Sequence, residues 1–192
     1  MLPQVTPTVV IVPGLRRHVA NHWQTLLADR LPNARVVPSL DRDKRDLAGR
    51  VADLEQVVRE AAGPVTIVAH SAGVLTTVHW AARHDTDRVT GALLATPPDL
   101  ANPLPAEYPS LEELGAHGWL SFPRDTLPFP STVVGSTNDA LGDYERVRAL
   151  AHAWGSRFVG LGPVGHLNPA AGYGEWPLAE VLLADLAAPV LA

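Results

Sequence analysis

A serine lies among small residues between a strand pattern and a helix pattern. The β-branched run Val65–Ala69 predicts a buried strand, and Ser71 follows it, with Gly73 two residues further on. This is the layout of a nucleophile elbow, where a sharp strand-to-helix turn exposes a serine hydroxyl. The usual motif has glycine where this chain has Ala69, and alanine tolerates a positive φ less well than glycine. The motif favours Ser71 as a nucleophile and requires a base and an acid elsewhere.

The base should be a histidine in a loop that follows a strand. A serine hydroxyl becomes a strong nucleophile when a histidine, oriented by a carboxylate, takes its proton. In open parallel sheets such groups lie beyond the carboxyl ends of the strands. Of the eight histidines, His166 alone follows the last predicted strand, and the flexible Gly165 precedes it. We therefore expect His166 to be the base; the alternative is an ordinary solvated loop histidine.

The acid is expected directly after the fifth predicted strand. Asp139 lies there, in the segment Gly135-Ser-Thr-Asn-Asp139. Asp143 is the second candidate, but it falls at the start of the next predicted helix, where an acid also favours the helix dipole. Asp139 could likewise serve only as a cap of that helix.

Two backbone amides should hold the negative charge that develops on a substrate carbonyl. The residue after the nucleophile, Ala72, supplies one amide. The loop after the first strand supplies the other, and we choose Leu15, although Pro13-Gly14 could be a plain strand-ending turn. Arg16, on the same loop, could attract an anionic substrate or simply be solvated.

Further pocket candidates are His70, Trp119 and Phe122. The side chain of His70 is expected to leave the turn in a different direction from Ser71. Trp119 and Phe122 lie in a proline-rich segment, 96–130, which we expect to be an ordered surface loop with a short helix near Ser110–Gly115. The two aromatic residues could line an acyl pocket or pack that segment onto the core.

Strand and helix patterns alternate along the chain. The predicted strands are Thr8–Val12, Ala34–Val37, Val65–Ala69, Gly91–Ala95, Ser131–Gly135 and Arg157–Leu161. The predicted helices are His22–Leu31, Asp46–Ala62, Ala72–Arg83, Leu141–Trp154 and Pro177–Leu186. This alternation predicts an α/β fold with right-handed crossovers and a parallel sheet of about six strands, covered by helices on both faces. We expect one domain over residues 1–192.

Composition excludes several classes of protein. A net charge of −5 argues against a nucleic-acid binder. The chain has no cysteine, which excludes disulfides and thiolate chemistry and weakly favours the cytoplasm. No signal peptide or membrane-spanning run is expected, and the alanine- and arginine-rich composition suggests a GC-rich bacterial source. We expect neither a metal nor a cofactor; the oligomeric state stays open.

The chain resembles a known family through a set of segments that span nearly its whole length. They are Val12-Pro-Gly14, Asn21-His-Trp-Gln24, Ala69-His-Ser-Ala-Gly73, Gly91–Asp99, Leu127–Ser131, Ser136–Asp139, Ala153-Trp-Gly155, Gly165–Asn168 and Gly174–Pro177. Together they resemble the small serine hydrolases of the retinoblastoma-binding-protein-nine and YdeN type. The chain departs from that pattern at Ala140, where proline is common, and at Leu40–Arg45, which lacks a tryptophan.

The resemblance implies an α/β-hydrolase fold without a large cap domain and a triad of Ser71, Asp139 and His166. We therefore expect a serine hydrolase that cleaves small carboxylic esters or amides through an acyl-enzyme on Ser71, with peptidase-like activity also in the family's range. One alternative is a weakly catalytic or non-catalytic protein-interaction module. Another is an acyltransferase or thioesterase, which differs only in what attacks the acyl-enzyme.

Overall fold

The computed structural model describes residues 6–16, 19–38 and 43–187, and within them the chain forms one parallel sheet. Its six strands are β1 (Thr8–Val12), β2 (Ala34–Val36), β3 (Val65–His70), β4 (Val89–Ala95), β5 (Ser131–Gly135) and β6 (Arg157–Gly160). Their order across the sheet is β2-β1-β3-β4-β5-β6. The predicted sheet is confirmed, with strand ends that differ from the prediction by one or two residues.

Helices cover both faces of the sheet, as predicted. They are α1 (Trp23–Arg30), α2 (Leu47–Glu60), α3 (Ala72–Ala81), α4 (Leu111–Ala116), α5 (Tyr144–Ala153) and α6 (Leu178–Ala187). The side chains of α2, α3 and α5 pack in one apolar cluster. Those of α1 and α6 pack in a second cluster on the opposite face. No large cap domain is present in the part of the chain that the structure describes.

The four central strands β1, β3, β4 and β5 are largely buried on both sides, which explains their near-continuous apolar sequences. Along β1, Val10 and Val12 face the first cluster, whereas Val9 and Ile11 face the second. Because successive side chains of a strand point to opposite faces, each of these four strands contributes to both cores.

The connections after β1 and β3 place the candidate site. These strands are neighbours in the sheet, with Val12 opposite Ala69. The chain leaves β1 toward α1 on one face and leaves β3 toward α3 on the other. A crevice therefore opens between the two loops at the carboxyl edge, which is where open α/β sheets bind ligands.

Helix α5 begins later than predicted. The apolar pattern suggested a start at Leu141, but Asp143 accepts a hydrogen bond from the Arg146 amide at 3.0 Å and caps a helix that starts at Tyr144. The side chain of Leu141 is nevertheless buried, which explains why it fitted the helical pattern. Residues 141–142 extend the loop that carries Asp139.

The proline-rich segment 96–130 is ordered and packs on the core. Its short helix α4 begins with a capping box in which Ser110 and Glu113 exchange hydrogen bonds. The indole of Trp119 is buried and donates to the backbone oxygen of Arg45 at 2.7 Å. The departure noted at Leu40–Arg45 lies partly outside the described residues, as do the two ends of the predicted 1–192 domain.

Among residues 6–16, 19–38 and 43–187, none of the helices is long and apolar enough to cross a membrane.

Candidate active site

Ser71 occupies a strained turn between β3 and α3. Its backbone has φ 56° and ψ −125°, a region that residues other than glycine rarely adopt. Such a conformation costs about 1–3 kcal/mol and persists only where its surroundings enforce it. The Ser71 amide donates to the carbonyl of Ala95 at 2.9 Å, and its own carbonyl accepts from the Val74 amide at 2.9 Å. These bonds hold the turn between β4 and the first turn of α3.

The alanine in the motif needs no unusual backbone. Ala69 lies inside β3, paired with Val12 and Leu94, and its φ is not positive. The prediction that this position needs a positive φ is wrong, because the residue with a positive φ is Ser71 itself. Ala69 is fully buried, so a small side chain is the relevant requirement.

Gly73 is required by close packing. A Cβ at this position would collide with the backbone of the β1–α1 loop, including the Pro13 oxygen at 2.9 Å and the Val12 oxygen. Backbone atoms cannot swing away as a flexible side chain would. Gly73 therefore lets the start of α3 approach the loop that carries Gly14 and Leu15.

His166 hydrogen-bonds to both other members of the predicted triad. Its Nε2 lies 2.8 Å from the Ser71 Oγ, and its Nδ1 lies 2.9 Å from Asp139 Oδ2 and 3.0 Å from Oδ1. An ionised carboxylate only accepts, so a neutral ring carries its proton on Nδ1 and presents a free Nε2 lone pair to the serine. Only 9% of His166 is exposed. The structure thus brings together all three predicted residues, in the arrangement of a serine nucleophile, base and acid.

Two hydrogen-bonded loops hold Asp139 and His166 in place. Asn138 Oδ1 accepts from the Ser136 hydroxyl at 3.0 Å and from the Gly165 amide at 2.7 Å. The Leu141 amide donates to Asp139 Oδ1 at 2.9 Å, which fixes the carboxylate from the other side. The loops after β5 and β6 therefore form one connected unit, and Asp143 takes no part in it.

His70 holds the backbone of His166 through a hydrogen bond. Its Nε2 lies 2.9 Å from the backbone oxygen of His166, and a carbonyl only accepts, so His70 donates. Burial, followed by the charges of His166 and His22, lowers the pKa of His70 well below 6.5. The side chain of His70 leaves the turn in a different direction from that of Ser71, as expected, and contacts the loop after β6 that carries His166.

A second neutral imidazole lies beside His70. The rings of His22 and His70 are 4.7 Å apart, and His22 Nδ1 accepts from the Gln24 amide at 3.2 Å. Burial lowers the pKa of His22 from 6.5 to about 4, with a smaller contribution from His166. His22 therefore caps α1 as a neutral acceptor at neutral pH.

The two predicted oxyanion amides are free to donate hydrogen bonds to a ligand. Leu15 lies on the loop beside the serine, since a Cβ at the adjacent Gly14 would be 3.3 Å from the Ser71 Cβ. Ala72 is the first residue of α3, where a helix leaves its N–H groups unpaired. Within the described ranges, neither amide has a hydrogen-bond acceptor.

A half-buried arginine holds the loop that carries Leu15. Arg50 Nη2 donates to the Pro13 carbonyl at 2.5 Å and to that of Gly14 at 3.5 Å, while its Nε reaches the Thr76 hydroxyl at 3.3 Å. Burial lowers its pKa to about 10, so the group stays charged at neutral pH. Arg50 thus ties the β1–α1 loop to α2 and α3.

Two cavities flank Ser71. The larger, of about 330 Å³, is lined mainly by apolar side chains of β1, β2 and the β1–α1 loop, together with His22, His70 and His166. The smaller, of about 30 Å³, lies over the start of α3 and is bounded by apolar residues of segment 96–130.

The predicted pocket residues divide between these cavities. Arg16 and His70 line the larger one, and the Arg16 guanidinium lies 4.9 Å from the centre of the Tyr108 ring. Trp119 lines the smaller one. Phe122 lines neither of them; it packs in the core 6.4 Å from the Trp154 ring, which corrects its predicted place in the pocket.

Sequence reasoning missed several residues that organise the site. Arg50 lies far from the motifs, and Gln24 belongs to the Asn21–Gln24 segment but was assigned no role. Gln24 donates to the carbonyls of Val12 and Val68 at 3.2 and 3.0 Å. An isolated polar residue inside a helix pattern carries no signal that it will reach a strand end. Asn138 could have been found, because it directly precedes the predicted acid in a turn-forming segment.

Among the described residues, no three histidine or acidic side chains are arranged to hold a metal ion.

Comparisons with known proteins identify the family of the chain and proteins of similar fold. Residues 9–185 match a family model described as serine hydrolase. A YdeN-like hydrolase from Pectobacterium atrosepticum is 26% identical, with a TM-score of 0.81 over 94% of this chain and 90% of that one. The ydeN gene product of B. subtilis is 19% identical, with a TM-score of 0.76 over 94% and 98%. Est1E from Butyrivibrio proteoclasticus, solved with ferulic acid, is 13% identical, with a TM-score of 0.67 over 97% and 92%. No curated protein matches the chain significantly.

Proposed function

We propose that this chain, which belongs to the serine hydrolase family, cleaves small carboxylic esters or amides through an acyl-enzyme on Ser71. The observation that carries the proposal is the position of His166, with Nε2 2.8 Å from the Ser71 Oγ and Nδ1 2.9 Å from Asp139. A nucleophile and base within hydrogen-bond reach, with the base oriented by a third group, are the parts that acyl transfer requires.

The reaction begins when the Ser71 oxygen attacks the substrate carbonyl. His166 Nε2 takes the hydroxyl proton as the bond forms, and the ring becomes an imidazolium. Asp139 stabilises that charge and keeps Nδ1 protonated throughout. The strained backbone at Ser71 presents the hydroxyl beyond the sheet edge, where a carbonyl can reach it.

The carbonyl oxygen becomes negative in the tetrahedral intermediate. The amides of Leu15 and Ala72 donate to that oxygen, in a site largely shielded from water, where such bonds are strong. Arg50 keeps the Leu15 loop in place through the Pro13 carbonyl. These groups supply the electrostatic part of catalysis.

The intermediate then collapses, and water completes the cycle. His166 donates its proton to the leaving alcohol or amine, which departs and leaves an ester on Ser71. Water, deprotonated by His166, attacks that ester and releases the acid. The complete hydrogen-bonded triad supports a catalytic protein over an interaction module that only retains the fold.

A panel of p-nitrophenyl esters and aminoacyl amides tests the proposal. Wild type should hydrolyse at least one class, and Ser71→Ala should reduce kcat/KM by several orders of magnitude. Ser156→Ala is a matched control, because the Ser156 hydroxyl hydrogen-bonds to the Ser131 hydroxyl, away from the site. Turnover that survives in purified Ser71→Ala would refute the proposal.

A further inference from the structure

The two cavities beside Ser71 differ about tenfold in volume, at about 330 and 30 Å³. A cavity holds one water molecule once it offers about 10–15 Å³ to a water-sized probe. The smaller cavity exceeds that about two- to threefold, so it accepts a short group of one or two carbons beyond the carbonyl carbon. The larger cavity has room for a ring system.

The cavities also differ in which catalytic groups they contain. His166, His70 and His22 line the larger cavity and not the smaller one. Ala72 lines the smaller cavity, together with Leu75 behind it. Ser71 and Leu15 line both, so the hydroxyl and one oxyanion amide lie at their junction.

Proton transfer decides which part of a substrate enters which cavity. When the tetrahedral intermediate collapses, the bond between the carbonyl carbon and the leaving oxygen breaks, and that oxygen takes the proton from His166 Nε2. The leaving group must therefore lie beside His166, in the larger cavity. The acyl chain then extends away from the histidine, into the smaller cavity beside Ala72.

The walls of the smaller cavity are firmly held. Trp119 and Leu114 are buried, and the Trp119 indole is fixed by its bond to the Arg45 carbonyl. Tyr108 lines both cavities, where it helps to separate them. Trp119, Leu114 and Tyr108 come from the proline-rich segment 96–130, so this segment limits the acyl chain.

We propose that the enzyme is selective for esters of a very short acyl group, such as acetyl, with a bulky apolar alcohol. This inference rests on the proposed function and assigns the two halves of its substrate. The smaller cavity is lined almost entirely by apolar side chains, and most of the exposed lining of the larger one is apolar too, which favours apolar groups in each. The products are then a short carboxylic acid and the free alcohol.

Two ester series test this assignment. In 1-naphthyl esters with a constant alcohol, kcat/KM should fall at least tenfold from acetate to butyrate and further to hexanoate. In acetates with a constant acyl group, kcat/KM should rise from ethyl to cyclohexyl acetate, two unactivated alcohols of different size. A preference for butyrate or hexanoate over acetate would overturn the proposal.

A cavity variant makes the test specific. Leu104 is half-buried and lines the smaller cavity, so Leu104→Ala should raise the butyrate-to-acetate ratio of kcat/KM at least fivefold. Leu111→Ala is the matched control, because Leu111 packs on the same core but lines neither cavity. Equal ratios in both variants would count against the assignment.

The outcomes separate this inference from the proposed function. Ser71-dependent hydrolysis that favours long acyl chains would leave the proposed function intact and overturn the assignment. If no ester of either series is hydrolysed but aminoacyl amides are, only the ester assignment fails. If neither esters nor amides are hydrolysed, both fail together.

Discussion

His70 donates a hydrogen bond from its Nε2 to the backbone carbonyl of His166, 2.9 Å away. The residue before the nucleophile thus supports the loop that carries the base. Because both rings are buried and only 4.9 Å apart, a change at one displaces the other. The position before Ser71 is therefore part of the triad's scaffold.

Replacing His70 should impair catalysis through His166. His70→Phe leaves the buried His166 carbonyl without a donor, at a cost of about 1–3 kcal/mol. We expect kcat to fall by about tenfold with little change in KM. His70→Gln retains a donor and should recover most of the activity. Steady-state kinetics on acetate esters checks this, and equal losses in the two variants would show that the bond is unimportant.

The two acidic residues after β5 should differ sharply in importance. Asp139→Asn removes the charge that stabilises the imidazolium and permits the wrong tautomer, so kcat should fall by about 10³–10⁴-fold. Asp143→Asn should be nearly silent, because asparagine caps helices as well as aspartate does. Comparable losses at both positions would remove Asp139 from its proposed role.

Of the two small residues that flank Ser71 in the motif, Gly73 should be essential for activity, whereas the choice between alanine and glycine at position 69 should have little effect. Gly73→Ala forces a Cβ against the backbone of the β1–α1 loop, so we expect lower thermal stability and at least a hundredfold loss in kcat/KM. Ala69→Gly restores the usual motif but relieves no strain, because Ala69 has ordinary strand geometry. Its activity should stay within about twofold of wild type; a large gain would mean that Ala69 strains the turn. Melting curves and ester kinetics on both variants measure these effects.

The sequence predicts the sheet and the triad well, for physical reasons. Buried parallel strands produce continuous apolar runs, and Ser71 and Asp139 each follow one of them, whereas His166 follows the edge strand β6. The predicted start of α5 at Leu141 is wrong, because a buried leucine in a loop fits the same apolar pattern as a helical residue. The cap at Asp143 was the local signal that outweighed it.

Contacts between distant segments were beyond sequence reasoning. Arg50 is 36 residues from Gly14, and Trp119 is 74 residues from the carbonyl that it contacts. No local pattern records such pairs. The same limit explains Phe122, since a core aromatic and a pocket aromatic look alike in sequence, and only packing against Trp154 separates them.

Stability should decrease in mild acid because desolvation favours the neutral form of three histidines, of which His70 and His79 are buried and His22 is half-buried. Burial lowers the pKa of His22 and of His79 from 6.5 to about 4, and that of His70 well below 6.5. Between about pH 6.5 and 4 the unfolded chain binds more protons than the folded one. The free energy of unfolding therefore decreases as the pH is lowered through this range. The loss is about 1 kcal/mol per histidine for each pH unit.

A variant of His79 tests this loss of stability at a histidine that lies outside the active site. Neither of its ring nitrogens has a hydrogen-bond partner in the described parts of the chain. His79→Leu should therefore lose less stability than wild type between pH 7 and pH 5 in urea titrations. An unchanged loss in the variant would exclude His79 as a source of the acid sensitivity.

Covalent labelling of Ser71 tests the central claim most directly. A fluorophosphonate reacts with a serine only when a neighbouring base activates it, so the folded wild-type protein should form one adduct, located on Ser71 by peptide mass spectrometry. Ser71→Ala should remain unlabelled, and Asp139→Asn should react far more slowly. A folded wild-type protein that stays unlabelled, or an adduct on another serine, would contradict the account.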